Sequence, residues 1–202
     1  MELALSLLLG VGLASAAGLR IFIPALVASI GAQQGIISPG EGFEWLGTWP
    51  AVAAFGVATL VEIGGYYIPW VDNLLDTIAG PGAVIAGGLI ATSFLEVDSE
   101  ALRWVLGLIA GGGAAGLVQG GTTLLRATST ATTGGLANPV VSTGEAVGAV
   151  SLSVMSVLAP VIAVALLLVL GVLVWRRVRR RRRRTAQASP TTPPPNTPAP
   201  PR

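Results

Sequence analysis

The sequence contains no cysteine, histidine or lysine. Without cysteine there is no disulfide and no thiolate nucleophile, and without histidine there is no imidazole base and no zinc-type site. The absence of lysine excludes Schiff-base catalysis and the lysine of phosphate-binding loops. Any chemistry in this chain must therefore rely on carboxylates, hydroxyls, amides and arginine, and the sequence predicts no cofactor.

Charged residues are scarce, at 11%, whereas hydrophobic residues make up 52% and the mean hydropathy is +0.73. These values lie far above those of soluble globular proteins and predict a membrane protein. All ten acidic residues precede residue 176, and the same stretch has three basic residues, Arg20, Arg103 and Arg126. Since eight of the twelve arginines lie between Arg176 and Arg184, the sequence pI of about 9.9 describes the C-terminal end.

Long apolar stretches predict an all-α polytopic membrane protein with about five transmembrane helices, over residues 3–30, 50–68, 78–95, 101–125 and 146–175. A helix over the first stretch would be about 42 Å long and would exceed a hydrocarbon core of about 30 Å. This span is therefore tilted, or broken near Arg20, and Pro24 favours the break. Pro160 is expected to bend the last span.

The predicted organisation has three parts. Residues 1–175 form the transmembrane domain, and residues 176–184 form an arginine run that is cytoplasmic under the positive-inside rule and can also bind anionic lipid headgroups. Residues 185–202, with seven prolines, form a disordered tail. We expect a multi-pass protein of the plasma membrane, and no nucleic-acid partner because the run directly follows a membrane helix. The run consists of Arg176, Arg177, Arg179, Arg180, Arg181, Arg182, Arg183 and Arg184, with Val178 between the second and third.

Three acids and an amide lie within and just after the second span. Glu62 is inside the span, where an uncompensated carboxylate costs several kcal/mol. Asp72 and Asp76 are four residues apart and share a helix face, with Asn73 beside it. The acids are candidates for a working site, although the aspartates alone are equally well explained as a solvated helix start at the membrane edge.

A weak internal repeat relates two parts of the chain. Arg20, Pro50 and Glu62 correspond in order to Arg126, Pro139 and Glu145. With five spans and a cytoplasmic C-terminus, the first and fourth spans cross in opposite directions, which is the geometry of an inverted repeat. If the repeat holds, the two glutamates approach each other near the midplane with the two arginines as counter-ions.

Glycines recur in the fourth span at every fourth residue. Gly112, Gly116 and Gly120 form a stripe along which another helix can approach closely. The partner helix can belong to the same chain or to a second copy, so a homo-oligomer is an open alternative.

Several blocks of sequence resemble one membrane family. They are Gly12 to Arg20, Glu62 to Asp76, Arg126, and Thr132 to Ser142, which includes Gly-Gly-Leu-Ala-Asn-Pro-Val-Val-Ser and is followed by Glu145. On these residues the chain resembles the bacterial family called domain of unknown function four-one-two-six, over about residues 5–170. Where members carry Asp-Lys and a further acid, this chain has Tyr66-Tyr67 and Ala146. The resemblance implies a polytopic membrane protein and supplies no activity.

Three functions remain open. The first is a small transporter or channel in which intramembrane carboxylates bind a proton or a hard cation. The second is a structural or assembly protein of the cell envelope whose basic tail binds lipid or a partner. An enzyme is not expected, because the Gly-x-Gly-Asp block of membrane aspartyl proteases is missing, although Mg²⁺ chemistry on a lipid headgroup at Asp72 and Asp76 stays open and the metal is unknown. The pathway candidates are Glu62, Asp72, Asn73, Asp76, Arg20, Arg126, Asn138 and Glu145.

Overall fold

The computed structural model describes residues 2–187, and all regular secondary structure in that range is helical. A 3₁₀ turn, Glu44–Gly47, precedes α3, and a π-helical segment, Gly107–Gly112, joins α5 to α6. The predicted all-α class is therefore confirmed. The helices are α1 (Glu2–Ala17), α2 (Phe22–Gln33), α3 (Trp49–Gly65), α4 (Pro69–Phe94), α5 (Glu100–Leu106), α6 (Gly113–Thr133), α7 (Asn138–Leu158) and α8 (Pro160–Gln187).

Four helical segments within residues 2–187 are long and apolar enough to cross a membrane: Trp70–Phe94, Glu100–Thr133, Asn138–Leu158 and Pro160–Arg177. Three shorter apolar helices, Leu3–Ala17, Phe22–Gln33 and Trp49–Gly65, accompany them. The chain is accordingly a membrane protein, as its hydropathy predicts. The helices differ from the predicted spans in several places.

The first apolar stretch is not one crossing but a hairpin of α1 and α2. Leu13 of α1 and Ala28 of α2 belong to one core cluster, although a straight helix would separate them by about 22 Å. The chain reverses between Ala17 and Phe22, so the break near Arg20 is confirmed and the single tilted span is wrong. Pro24 lies in the first turn of α2, where its missing N–H costs no hydrogen bond.

The last stretch also divides in two. α7 ends at Leu158 and α8 begins at Pro160, so the proline separates two helices instead of bending one. Residues 126–145, which lie between the fourth and fifth predicted spans, are helical except for a short turn at residues 134–137. Gly134 and Gly135 make this turn with φ of +62° and +88°, a conformation that favours glycine.

The contacts made at glycines show the directions in which neighbouring helices run. Gly10 of α1 packs on Ala91 of α4 whereas Ala14, one turn later, packs on Gly87, so the two helices are antiparallel. Gly107 packs on Thr92, and Gly116 further along packs on Val84, so α4 is antiparallel to the π segment and α6 as well. It follows that α1 and α6 run in the same direction. The predicted opposition of the first and fourth spans is therefore wrong for α1 and holds only for α2, where the chain has reversed, and the inverted repeat is not confirmed.

The predicted glycine stripe is used for part of its length. Gly112 and Gly116 face Val84 of α4. A Cβ on Gly112 would lie 3.0 Å from Val84, and a Cβ on Gly116 would lie 3.1 Å from it. Gly120 faces nothing within 4 Å in the described residues, so it does not contribute to this interface. Tighter contacts occur at Gly111, which meets Ala91, and at Gly87, which meets Ala115.

The chain divides into two units, Met1–Val164 and Ala165–Arg202. The second unit contains most of α8, which continues through the arginine run to Gln187. Arg176, Arg177 and Arg179 are exposed, and the guanidinium of Arg179 lies 5.2 Å from the ring centroid of Trp175. The side chains of Arg180, Arg181, Arg182, Arg183 and Arg184 and the predicted tail from residue 188 onward lie outside the described residues.

Candidate functional site: a buried ion cluster

Six charged side chains meet in the first unit where α1, α2, α3 and α4 begin or end beside α6 and α7. We call Arg20, Glu62, Asp72, Asp76, Arg126 and Glu145 the ion cluster. Five of them are between 2% and 7% exposed, and Asp76 is the exception with a side chain 33% exposed. The cluster is therefore enclosed by protein and reaches the surface at Asp76.

Arg126 of α6 lies at the centre of the cluster. Its Nε donates to Glu145 Oε1 at 3.1 Å and its Nη2 donates to Glu145 Oε2, so the two side chains form a bidentate ion pair. Its Nη1 donates to Asp72 Oδ1 at 2.7 Å and lies 3.2 Å from Asp76 Oδ1. Arginine suits this position because its planar fork holds several carboxylates at fixed angles.

Arg20 lies in the turn between α1 and α2. Its Nη2 donates to the Ser142 carbonyl oxygen at 3.0 Å and to the Ser142 hydroxyl, and it lies 3.5 Å from Glu145 Oε2. Its Nε and Nη1 have no hydrogen-bond acceptor among the described residues. Glu145 thus binds both arginines.

The ring of Tyr66 compensates for the unpaired donors of Arg20. The guanidinium carbon of Arg20 lies 3.6 Å from the ring centroid, and that of Arg126 lies 4.5 Å from it. A cation over the face of a buried aromatic ring is stabilised by the negative quadrupole of that face. Tyr66 therefore stabilises both cations in a place where two like charges would otherwise repel each other.

Glu62 has a different role from the other acids. Its carboxylate accepts the backbone N–H of Ile21 at 2.8 Å and that of Phe22 at 3.0 Å. These N–H groups lie at the N-terminus of α2, where they have no partner within the helix and where a negative charge also interacts favourably with the helix dipole. The carboxylate at this depth is thus compensated by a helix N-terminus that the broken first span creates.

The cluster contains six of the eight predicted pathway residues. Asn138 is not among them, since it starts α7 and its Nδ2 donates to Thr130 Oγ1 at 3.3 Å. Asn73 lies in α4, and its side chain is outside the described part of the structure. Asp72 is buried, so the interpretation of both aspartates as a solvated helix start is wrong for this residue.

Tyr66 and Ser142 are contacts that the sequence did not single out as site residues. Tyr66 follows Glu62 by four residues, and Ser142 precedes Glu145 by three. Both therefore lie on the same helical face as a predicted acid, and this spacing is the signal that could have identified them.

The charges of the cluster do not balance. Four carboxylates face two guanidiniums, so full ionisation gives the cluster a net charge of −2, which the N-terminus of α2 offsets only in part at Glu62. A proton or another cation lowers the electrostatic energy of this arrangement. Among the described residues, no group of three or more acidic side chains is arranged to hold a metal ion.

These features define an all-helical membrane protein whose interrupted helices enclose a group of ionised side chains. The family model described as Domain of unknown function (DUF4126) matches residues 7–180, and the chain belongs to this family. No curated protein and no solved structure matches the chain. The resemblance seen in the sequence is confirmed, and the blocks that carry it contain Arg20, Glu62, Asp72, Arg126, Ser142 and Glu145.

Proposed function

We propose that the protein is a small transporter or channel that moves protons, or a cation, through the ion cluster. The observation that carries this proposal is the excess of buried carboxylates over guanidiniums, with Asp76 as the one that reaches the surface. Intramembrane ionisable groups that face the protein interior are typical of ion and proton pathways. We favour the proton because Arg126 already occupies oxygens of Asp72, Asp76 and Glu145 that a metal ion would need.

The geometry suggests how a proton would pass. Asp76 takes up a proton at the surface, which weakens its contact with Arg126 and strengthens the hold of Arg126 on Asp72 and Glu145. Arg126 contacts all three acids and keeps them close together, so we infer that a proton passes between their carboxylates through intervening water while the guanidinium stays charged. Protonation of Glu145 then weakens its contact with Arg20, whose Nη2 lies 3.5 Å from Glu145 Oε2.

The full-length protein in liposomes tests this proposal, with an internal pH-sensitive dye and a potassium diffusion potential as driving force. We expect Asp76→Asn and Glu145→Gln each to reduce proton flux to near that of empty liposomes. Asp98→Asn is the matched control, since Asp98 lines a cavity with Glu41 at the other end of the unit and should keep the wild-type flux. Wild-type flux in both cluster variants would refute the pathway.

The same proposal includes an orientation and a location. The arginine run after a long apolar helix supports a cytoplasmic C-terminus in the plasma membrane. The exposed guanidiniums of Arg176, Arg177 and Arg179 are available to anionic headgroups on that side. No cofactor and no catalytic step enter the proposal.

A further inference from the structure

An apolar cavity of about 310 Å³ lies between α2, α3, α4 and the segment that contains the 3₁₀ turn. None of the six cluster residues lines it, and its inner wall is formed by aromatic and small aliphatic side chains. Ala25 comes from α2, Phe55 from α3, and Ala86, Ile90 and Phe94 from α4, while Phe43 closes the loop side.

The cavity opens at the outer surface of the unit. Phe22, Trp45 and Leu89 line it and are also 37%, 51% and 41% exposed. Apolar side chains that rim an opening in a membrane protein face lipid, because they would be solvated poorly by water. The medium that has access to this cavity is therefore hydrocarbon.

The wall of the cavity offers water few hydrogen-bond partners. Ser93 contributes a hydroxyl, and that hydroxyl already donates to the Leu89 carbonyl oxygen at 2.7 Å. A buried water needs two to four polar partners, and an empty cavity forfeits the dispersion contacts of its lining. We propose that one hydrocarbon chain of a membrane phospholipid fills this cavity.

The volume of the cavity fits an alkyl chain better than a partner helix. A helix with its side chains is about 10–12 Å across, so the cavity would hold less than about one turn of a partner helix. A single alkyl chain is thinner and can follow the groove. Its headgroup belongs at the Trp45 end, where Trp49 and Glu44 add the aromatic and polar groups typical of the membrane interface.

The other end of the chain would reach the first turn of α2. Ile21 and Phe22 line the cavity, and their backbone N–H groups are the ones that bind Glu62. A lipid chain here fills the space beside these two hydrogen bonds and keeps water from entering it. This inference does not depend on transport, since it concerns lipid occupancy alone.

Native mass spectrometry tests the proposal on the full-length protein, reconstituted in palmitoyl-oleoyl-phosphatidylcholine vesicles and extracted in mild detergent. Ala86→Phe fills the cavity from α4, whereas Ala53→Phe adds the same ring on the exposed face of α3. We expect wild type and Ala53→Phe to retain one phospholipid. Retention by Ala86→Phe should fall by about tenfold or more, since displacing even two methylenes has that effect.

Several outcomes would overturn the assignment. They are equal retention by Ala86→Phe and wild type, equal loss in both phenylalanine variants, or no retained lipid in any form. A dimer that Ala86→Phe dissociates would instead assign the cavity to a side chain of a second copy. Ala25→Leu fills the same space from α2 with a smaller change, and it should also lose the lipid if Ala86→Phe does not fold.

Discussion

Arg126 is the residue whose loss should disturb the cluster most. Removing one partner of a buried ion pair costs about 3–5 kcal/mol, because the remaining charges stay buried without compensation. We expect Arg126→Gln to lower the free energy of unfolding in detergent by about this amount. Arg126→Lys should not restore the wild-type value, because lysine cannot form the bidentate ion pair with Glu145.

A double variant tests the cause of this loss. Arg126→Gln combined with Glu145→Gln removes one buried negative charge along with the cation, so it should be more stable than the sum of the single effects predicts. Strict additivity would contradict a direct interaction between the two residues.

Glu62 should act on stability through its helix cap. Losing a side-chain acceptor at a helix N-terminus costs about 0.5–2 kcal/mol, so Glu62→Ala should lower the midpoint of thermal unfolding. Glu62→Gln keeps one oxygen for Ile21 or Phe22 and should cost less. Glu96→Gln serves as the control because Glu96 is exposed. Equal midpoints for Glu62→Ala and Glu96→Gln would contradict the capping role.

Among the elements, the contact between α4 and the π segment depends on glycine. A Cβ at Gly111 would overlap Ala91 and the carbonyl of Gly87, and such overpacking costs about 1–3 kcal/mol. We therefore expect Gly111→Ala to destabilise the fold in a denaturant titration. Gly120→Ala is the matched variant: it faces open space and should be neutral or stabilising by up to about 1 kcal/mol. The reverse order of the two variants would exclude this packing.

The sequence predicts single elements better than their connections. The break near Arg20 follows from a helix length of about 42 Å against a core of about 30 Å. The reversal of the chain does not, because it depends on Glu62 and on α7, which are distant in sequence. The predicted fourth span ends at residue 125 because polar residues follow, yet the helix continues to Thr133. The threonine hydroxyls donate to carbonyl oxygens one turn earlier, Thr128 to Leu124 and Thr132 to Thr128, both at 2.8 Å.

The same limit applies to the site. An acid or arginine in an apolar stretch can be recognised one residue at a time, which is why all six cluster members are among the predicted pathway residues. Which acid pairs with which arginine is a property of the packed helices. The repeat paired Arg20 and Arg126 with the two glutamates, yet Glu145 binds both arginines and Glu62 binds backbone N–H groups.

For the whole molecule, the fold predicts which loops share a side of the membrane. Ile37 contacts the core near Val157 at the end of α7, whereas residues 134–137 precede the start of α7, about 31 Å away along the helix. Since the native chain has no cysteine, labelling of a variant with a single introduced cysteine can be assigned to that position. We expect Ser38→Cys and Asp98→Cys to react with an impermeant maleimide from one side and Leu136→Cys from the other.

Leu19→Cys in the turn between α1 and α2 provides a second readout of the same map. It should react slowly from either side, because the turn lies among α6 and α7 and not in solvent. Labelling of Ser38→Cys and Leu136→Cys from the same side would contradict the arrangement of the helices.

Arg20 is far in sequence from the residues that it contacts, and this separation has a consequence for biosynthesis. Its hydrogen-bond acceptor Ser142 lies 122 positions later in the chain, and the cap from Glu62 arrives about 40 residues after the turn it closes. When the opening pair of helices enters the membrane, Arg20 therefore lacks its contacts with Ser142 and Glu145, which can form only after α7 has left the ribosome. Nascent chains stopped before residue 142 should remain near the insertion machinery, whereas completed chains are released into the bilayer.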